Sequence, residues 1–147
     1  MSGSVQISGV TTTGNIMTAL NDFAGRANTT AIINGSTSSN VTNTEDYAAG
    51  FCNNYARVNA NGNGLTAGRW WLPSIGELAM IWANYAKINY ALSKISGATQ
   101  LRLEWYWSST QATASDAWGL PLLDGRIRHL FKYEQIAVRP VSAFLIS

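Results

Sequence analysis

Apolar residues along this chain are spaced in two ways. Between Tyr47 and Gly97 they recur at helical intervals; from Leu101 onward they fall in short dense runs of the strand type. In TEDYAAGFCNNYARV, Tyr47, Phe51, Tyr55 and Val58 stand at i, i+4, i+8 and i+11, which predicts one apolar helix face. Thr44 is its expected N-cap, with Glu45 and Asp46 in the first turn, where the helix dipole favours acids. Gly50 opposes that helix by up to about 1 kcal/mol relative to Ala, and NANGNG ends it. A second helical region starts at Ser74. Ser74 and Glu77 have the S-x-x-E spacing of a capping box, in which each side chain satisfies a backbone N–H left free by the first turn. Leu78, Ile81, Trp82 and Tyr85 follow as its core face. Pro73 keeps Leu72 extended. A break is expected near Lys87, and Gly97 closes the region.

The strand half opens with LEWYWSST (Leu103–Thr110) and closes with IAVRPVSAF, where Pro140 implies an edge or an irregular site. Between them, AWGLPLL and RIRHLFKY flank Asp124-Gly125, a strong hairpin signal. With Asp124 and Gly125 as the two central turn residues, Leu123 faces Arg126, Leu122 faces Ile127, Pro121 faces Arg128, Leu120 faces His129 and Gly119 faces Leu130. Alternation then puts Trp118, Leu120, Leu122 and Ile127 on a core face. Gly119, Pro121, Leu123, Arg126, Arg128 and Leu130 fall on the other. Arginine mixed with bulky apolar groups is the composition of an interaction patch. His129 and Phe131 share the core face if the second strand is regular and are exposed if it bulges. The alternative is a solvated hairpin with outward Leu residues, which is common in soluble proteins.

Residues 1–68 are rich in Ser, Thr, Asn and Gly, and STSSNVTNTED (Ser36–Asp46) reads as an exposed loop. Residues 1–45 are expected to supply a first strand or a connector belonging to the same domain, with residues 46–147 as the domain proper. At 147 residues the chain suits one domain with a genuine core. Charged residues make up 12 % and the net charge is +2, with no Lys/Arg run to track a phosphate backbone, so nucleic acid is not expected as a partner. Cys52 is the single cysteine, which rules out an internal disulfide; among small and aromatic neighbours it reads as a buried hydrophobe. No apolar run approaches the ~20 residues of a membrane span, so membrane insertion is not expected. MSGSVQISGV lacks the pattern of a signal peptide.

Five pieces occur in a recognisable order: WWLPSIGEL (Trp70–Leu78), YWSST (Tyr106–Thr110), Ala117-Trp118, the turn glycine Gly125 and VRPVSAF (Val138–Phe144). The ordered set resembles the C-type lectin-like domains of bacterial and phage surface proteins, which share a core with the formylglycine-generating-enzyme fold. Its C-terminal part is similar to the variable proteins of diversity-generating retroelements. The resemblance covers about Tyr47–Phe144. It implies an α+β, C-type lectin-like fold: two helices packed on a small twisted antiparallel sheet with long loops.

In that subgroup a reverse transcriptase mutates template adenines, and the copy replaces the 3′ end of the gene. Asn codons treated this way never become Lys, Glu, Gln, Met or Trp, and every residue of GLPLLDGRIRHLF belongs to the permitted set. Joined to the hairpin geometry, the resemblance nominates Gly119, Pro121, Leu123, Arg126, Arg128 and Leu130 as ligand-binding variable positions. Asp124, His129 and Phe131 join them at the loop and strand exit, with Thr113 and Asp116 as extras. Trp118, Leu120, Leu122 and Ile127 are scaffold. The implied function is binding a protein or glycan on a host cell surface, on a phage tail fibre or a bacterial surface. Some relatives are trimers, which implies a homotrimer.

The chain also departs from its relatives. Sugar-binding lectins hold calcium through clustered carboxylates and amides. Here Glu104, Asp116 and Asp124 are scattered, with no Glu-Pro-Asn or Trp-Asn-Asp motif, so no metal or other cofactor is expected. Copper-dependent formylglycine-generating enzymes need a cysteine pair, which a lone Cys52 cannot supply, and Ser108, Ser109 and Thr110 have only His129 as a nearby base in sequence. An enzyme is therefore not expected, and a non-diversified adhesin or pilus-tip domain is the competing reading. Fold alone does not fix chemistry.

Overall fold

The N-terminal segment is helical where a first strand was expected. A computed structural model describes residues 5–35 and 43–143. In it, α1 (Ile16–Leu20) is N-capped by Asn15, whose side chain accepts from the Thr18 N–H at 3.0 Å. In α2 (Gly25–Asn34) the buried residues Gly25, Asn28, Thr29 and Ile32 follow i, i+3, i+4, i+7. The segment's only bridge to a strand among the described residues is the parallel pair Thr12–Gln111. It is nonetheless built into the core through Ile7, Val10, Ala19 and Ile32. Most of the expected loop at Ser36–Asp46, residues 36–42, lies outside the described residues, as does Phe144.

α3 (Ala48–Asn54) is shorter than the Tyr47–Val58 stripe implies and buries a different face. Ala48, Ala49, Gly50 and Cys52 point inward, because the backbone of Asn43 and Thr44 crosses directly over Gly50 and leaves no room for a Cβ. The aromatic residues line up sideways instead. Phe51 and Tyr55 have ring centroids 6.2 Å apart, and Tyr55 meets Trp70 edge-on at 4.9 Å. Val58 leaves the helix for β1 (Arg57–Val58), which pairs antiparallel with β2 (Gly64–Leu65).

The capping box forms. Ser74 starts α4 (Ile75–Ala83): its hydroxyl accepts from the Glu77 N–H at 3.3 Å, and Glu77 accepts from the Ser74 N–H at 2.9 Å. The break comes at Asn84, ahead of Lys87, and α5 (Tyr85–Ser93) follows. Leu78 is buried as expected. Trp82, read as core, is 42 % exposed, because its ring covers the loop at Gly125 and not the interior.

β3 (Trp105–Gln111), β4 (Asp116–Pro121) and β5 (Arg128–Phe131) form an antiparallel sheet in that order. Among the described residues the architecture is thus α+β, with five helices and two small antiparallel sheets in place of the two helices expected. IAVRPVSAF does not form a last strand. Ala137 bridges β3 at Tyr106, then Val141 bridges Trp71, and the Pro140 between them has no N–H to continue a ladder. The β4–β5 register differs from the two-residue Asp-Gly hairpin: Gly119 pairs with Arg128, Trp118 with His129, Ala117 with Leu130 and Asp116 with Phe131. Leu122 N–H bonds to Glu104 O at 3.0 Å and its side chain stays buried, so the chain runs on past Pro121 and returns through a wider loop. Because the register moves by two residues, each residue keeps its face while its partner changes.

The sheet is covered on both faces. Trp107, Ala117 and Leu130 pack with Ile32, Ala49, Cys52 and Leu72; Tyr106, Trp118 and Leu120 pack with Ile75, Leu78 and Leu101. The polar end of β3 is buried too. Ser108, Ser109, Thr110 and Gln111 are fully inaccessible and spend their hydrogen bonds internally. Asp22, in the α1–α2 connection, gathers several of them. Its carboxylate accepts from the Ala24 N–H (2.9 Å), Asn28 Nδ2 (2.8 Å) and Thr110 Oγ1 (2.7 Å). Replacing Asp22 by Ala strands three donors and is expected to cost on the order of 3 kcal/mol or more. A denaturant midpoint unmoved by Asp22→Ala would show that the network carries no stability.

Candidate functional site

The far end of the β4–β5 hairpin is held by buried anchors. Trp118 Nε1 donates to Thr13 O at 2.8 Å, and Leu120 and Leu122 are sealed beneath α4 and its neighbours. On the returning side Lys132, only 3 % exposed, donates from Nζ to Val5 O (2.8 Å), Gln111 Oε1 (2.6 Å) and Ala114 O (2.7 Å). Three acceptors match the three protons of an ammonium. Burial pulls its pKa down to about 8, with the nearby Asp116 charge opposing. Lys132 thereby joins the N-terminal segment, the β3–β4 connection and the end of β5 at one point.

Outside those anchors stands a mixed polar and apolar surface. Leu123 is 69 % exposed and Phe131 50 %, and Asp124, Arg126, Arg128 and His129 are exposed with them. Asp124 Oδ1 accepts from the Arg126 N–H at 3.0 Å, and its Oδ2 lies 3.5 Å from Arg126 Nε. At this exposure the ion pair adds little stability, so both groups are open to exchange partners. His129 Nδ1 is 2.7 Å from Asp116 Oδ2. A carboxylate only accepts, so Nδ1 carries the proton. The imidazole also stands edge-on to Trp118, with centroids 5.2 Å apart. Phe131 stacks on Tyr133 at 5.2 Å with planes 7° apart. Gly125, at φ +69°, passes over Trp82 so closely that any Cβ would meet the indole ring.

The expected outward face is therefore corrected in part. Gly119 and Pro121 are buried and Leu130 is half-buried: Leu130 packs on the cluster that Ile32 of α2 and Ala49 and Cys52 of α3 form with Trp107, and the space over Gly119 is closed by Leu130 and Ile136. His129 and Phe131, on the face expected to be core, are open, since the layer beneath Trp118 and Leu120 stops short of the outermost strand. Ile127 is half-buried beside that layer. Thr113 is exposed in the β3–β4 connection, where its hydroxyl accepts from the N–H groups of Ser115 and Asp116. Asp116 is half-buried and takes a further hydrogen bond from Ser115 Oγ at 2.8 Å. The structure brings together Asp116, His129 and Phe131 at alternate pairs of one ladder, and Leu123, Asp124 and Arg126 on one loop. Tyr133 and Lys132 belong to the same construction and were not singled out from sequence, and Trp82, read there as core, belongs to it too. Tyr133 was accessible to the same alternation that linked His129 to Phe131. Trp82 and Lys132 have no local signal, because their partners lie far along the chain.

Other groups fall elsewhere. Cys52 is fully buried, and desolvation pushes its thiol far above the usual range, which withholds the reactive thiolate. Among the described residues, no three His, Cys, Asp or Glu side chains converge as a metal-holding group, and no helix is long and apolar enough to cross a membrane.

Lys132→Met leaves three acceptors without their donor and is expected to cost about 2–4 kcal/mol at pH 7. The unfolded chain keeps the Lys132 proton to about 10.5 and the folded chain to about 8, so the folded state releases a proton between those values. Wild-type stability relative to Lys132→Met is then flat below pH 8 and rises with pH through that window. Urea denaturation of both proteins from pH 7 to 10.5 measures it, and a falling difference contradicts the depressed pKa. Comparison with protein-family models, curated proteins and solved structures finds no match to this chain.

Proposed function

We propose that the protein is a ligand-binding surface protein: a C-type lectin-like scaffold that presents a replaceable patch to a protein or glycan on a host cell. The observation that carries this reading is the separation of roles along one hairpin. Trp118, Leu120, Leu122 and Lys132 are buried and hold it, while Leu123, Asp124, Arg126, Arg128, His129 and Phe131 project from it. Side chains that bear little of the packing can change without unfolding what holds them. Arg, His and aromatic groups in that patch suit protein or glycan recognition. The run of residues reachable by adenine mutagenesis ends at Trp118 on one side and Lys132 on the other, two residue types that such mutagenesis does not produce from Asn codons. Both are buried anchors.

The binding positions are narrowed accordingly to Leu123, Asp124, Arg126, Arg128, His129 and Phe131, with Thr113 and Asp116 at the margin. The display platform is a phage tail fibre, and the assembly a homotrimer. Several copies presented together raise avidity by ~10²–10⁴ where geometry lets them engage at once. The patch is read as a binding surface and not a catalytic one: among the described residues no hydroxyl or thiol is hydrogen-bonded to His129, whose contacts are Asp116 and the Trp118 ring.

Two measurements test the reading. Arg126→Ala/Arg128→Ala/Phe131→Ala is expected to move the melting temperature by no more than about 2–4 °C, as for exposed positions in a domain of this size, and to abolish retention on host cells. A large melting shift with retention intact argues for a structural hairpin. Sequencing the gene's 3′ flank in sibling isolates is expected to show an adjacent near-repeat and a reverse transcriptase. Differences should fall at the six patch codons and spare Trp118 and Lys132. Invariant patch codons with no near-repeat would overturn the retroelement assignment.

A further inference from the structure

A second concave site lies away from the hairpin, and none of its lining residues belongs to β4 or β5. This cleft, of about 410 Å³, opens between the end of α5, the loop after it, β1 and the segment before Pro140. That volume is within the usual range for small-molecule sites. Its walls are apolar: Tyr55 and Trp70 form a corner with their rings at 89°, and Leu92 and Val138 face the same space.

Two guanidinium groups enter the cleft. Arg57 Nη2 donates to Ser96 O at 3.3 Å and Arg139 Nη1 to Thr99 O at 2.8 Å, so both are tethered to one loop. Arg57 can lie flat on that loop because Gly97, at φ +73°, has no side chain; a Cβ there would approach the guanidinium to 2.6 Å. Each guanidinium has five N–H donors, and a tether of this kind uses only one nitrogen. No acidic residue is among those lining the cleft. The ion pairs found among the described residues, Arg126–Asp124 and His129–Asp116, involve neither arginine. Glu104 shares with Arg139 a shallower adjoining groove of about 160 Å³, without an ion pair between them.

We propose that this cleft binds a small aromatic carboxylate. Arginine pairs with carboxylates through parallel N–H···O bonds, and two arginines tethered to one loop with no acidic residue lining the cleft leave that capacity open. A flat apolar ring matches the Tyr55–Trp70 corner. A polyhydroxylated ring fits less well: the indole N–H of Trp70 is already given to Leu65 O at 3.2 Å, and buried hydroxyls without partners are costly. The site is independent of the hairpin patch and stands whether or not that patch binds a host receptor.

The test is a titration of the full ¹⁵N-labelled chain with 2-naphthoate, following the Trp70 indole N–H and the Gly97 amide. Its neutral counterpart 2-naphthalenemethanol and the sugar acid glucuronate serve as parallel arms. Saturable shifts of both signals by 2-naphthoate are expected, with the alcohol and glucuronate each binding at least tenfold more weakly. Arg57→Gln and Arg139→Gln are each expected to weaken 2-naphthoate at least tenfold at an unchanged melting temperature. Should Arg139→Gln lower the melting temperature, Arg57→Gln, whose side chain is the more exposed, decides. Absence of saturable shifts, equal binding of the alcohol, glucuronate binding as tightly as 2-naphthoate, or affinity that survives Arg57→Gln overturns the proposal.

Discussion

A buried carboxyl group with no ion-pair partner among the described residues organises the centre of this protein. Asp22 is stabilised there by hydrogen bonds from Ala24, Asn28 and Thr110, and its own carbonyl accepts from Ser74 Oγ at 2.6 Å and the Gly76 N–H at 3.1 Å. One residue therefore fixes the start of α2, the N-terminus of α4 and the inner end of β3. A polar group in the interior is tolerated only when its hydrogen-bonding capacity is filled, and it then holds all its donors in one geometry. The buried hydroxyls of β3 have the same purpose. Ser108 bonds to Trp118 O, and Gln111 takes both the N–H and the carbonyl of Ile7. Where a simple sandwich relies on apolar interdigitation, this sheet is joined to its N-terminal cover by polar contacts of exact partnership.

That arrangement explains how the hairpin's end can carry so much unpaired chemistry. The sheet is clamped from both faces, by α2 and α3 on one and by α4 on the other, up to the level of β4. Beyond it, β5 is an edge strand whose four residues are exposed or half-buried. Its position is set by the ladder to β4 and by Lys132 at its end, so its outward side chains are free of packing duty. Arg126 and Leu123 extend this freedom into the loop, where Gly125 rests on Trp82. The patch and the anchors alternate along the same few residues. Position in the tertiary structure separates them, since residue type does not.

Much of the local structure was legible from sequence. Ser74 and Glu77 were readable as a cap because both partners lie within one turn. The strands at Trp105 and Asp116 were readable from their aromatic density, and the core side of β4 from alternation at Trp118, Leu120 and Leu122. The fold class as α+β was implied by the resemblance, and the order of helices before strands agrees with it. Errors arose wherever a contact spans the chain. Tyr47, Phe51 and Tyr55 form a correct helical stripe by spacing, yet the backbone over Gly50 turns the small residues inward. The Asp124-Gly125 pair favours a tight hairpin locally, but burial of Leu122 and its bond to Glu104 widen the loop.

The candidate site shows the same division. The alternation of the hairpin and the identity of its chemistry-bearing residues, Arg126, Arg128, His129 and Phe131, were determined by sequence alone, because strand geometry assigns faces from parity and a register change of two residues leaves parity intact. Which face meets water was decided only by the tertiary structure. Leu130 lost its exposure to a cluster built by residues far earlier in the chain, Gly119 lost its own to Leu130 and Ile136, and His129 and Phe131 gained theirs because the opposite layer ends before the sheet's edge. Periodicity reports what a segment can bury; only packing between distant segments decides what it does bury.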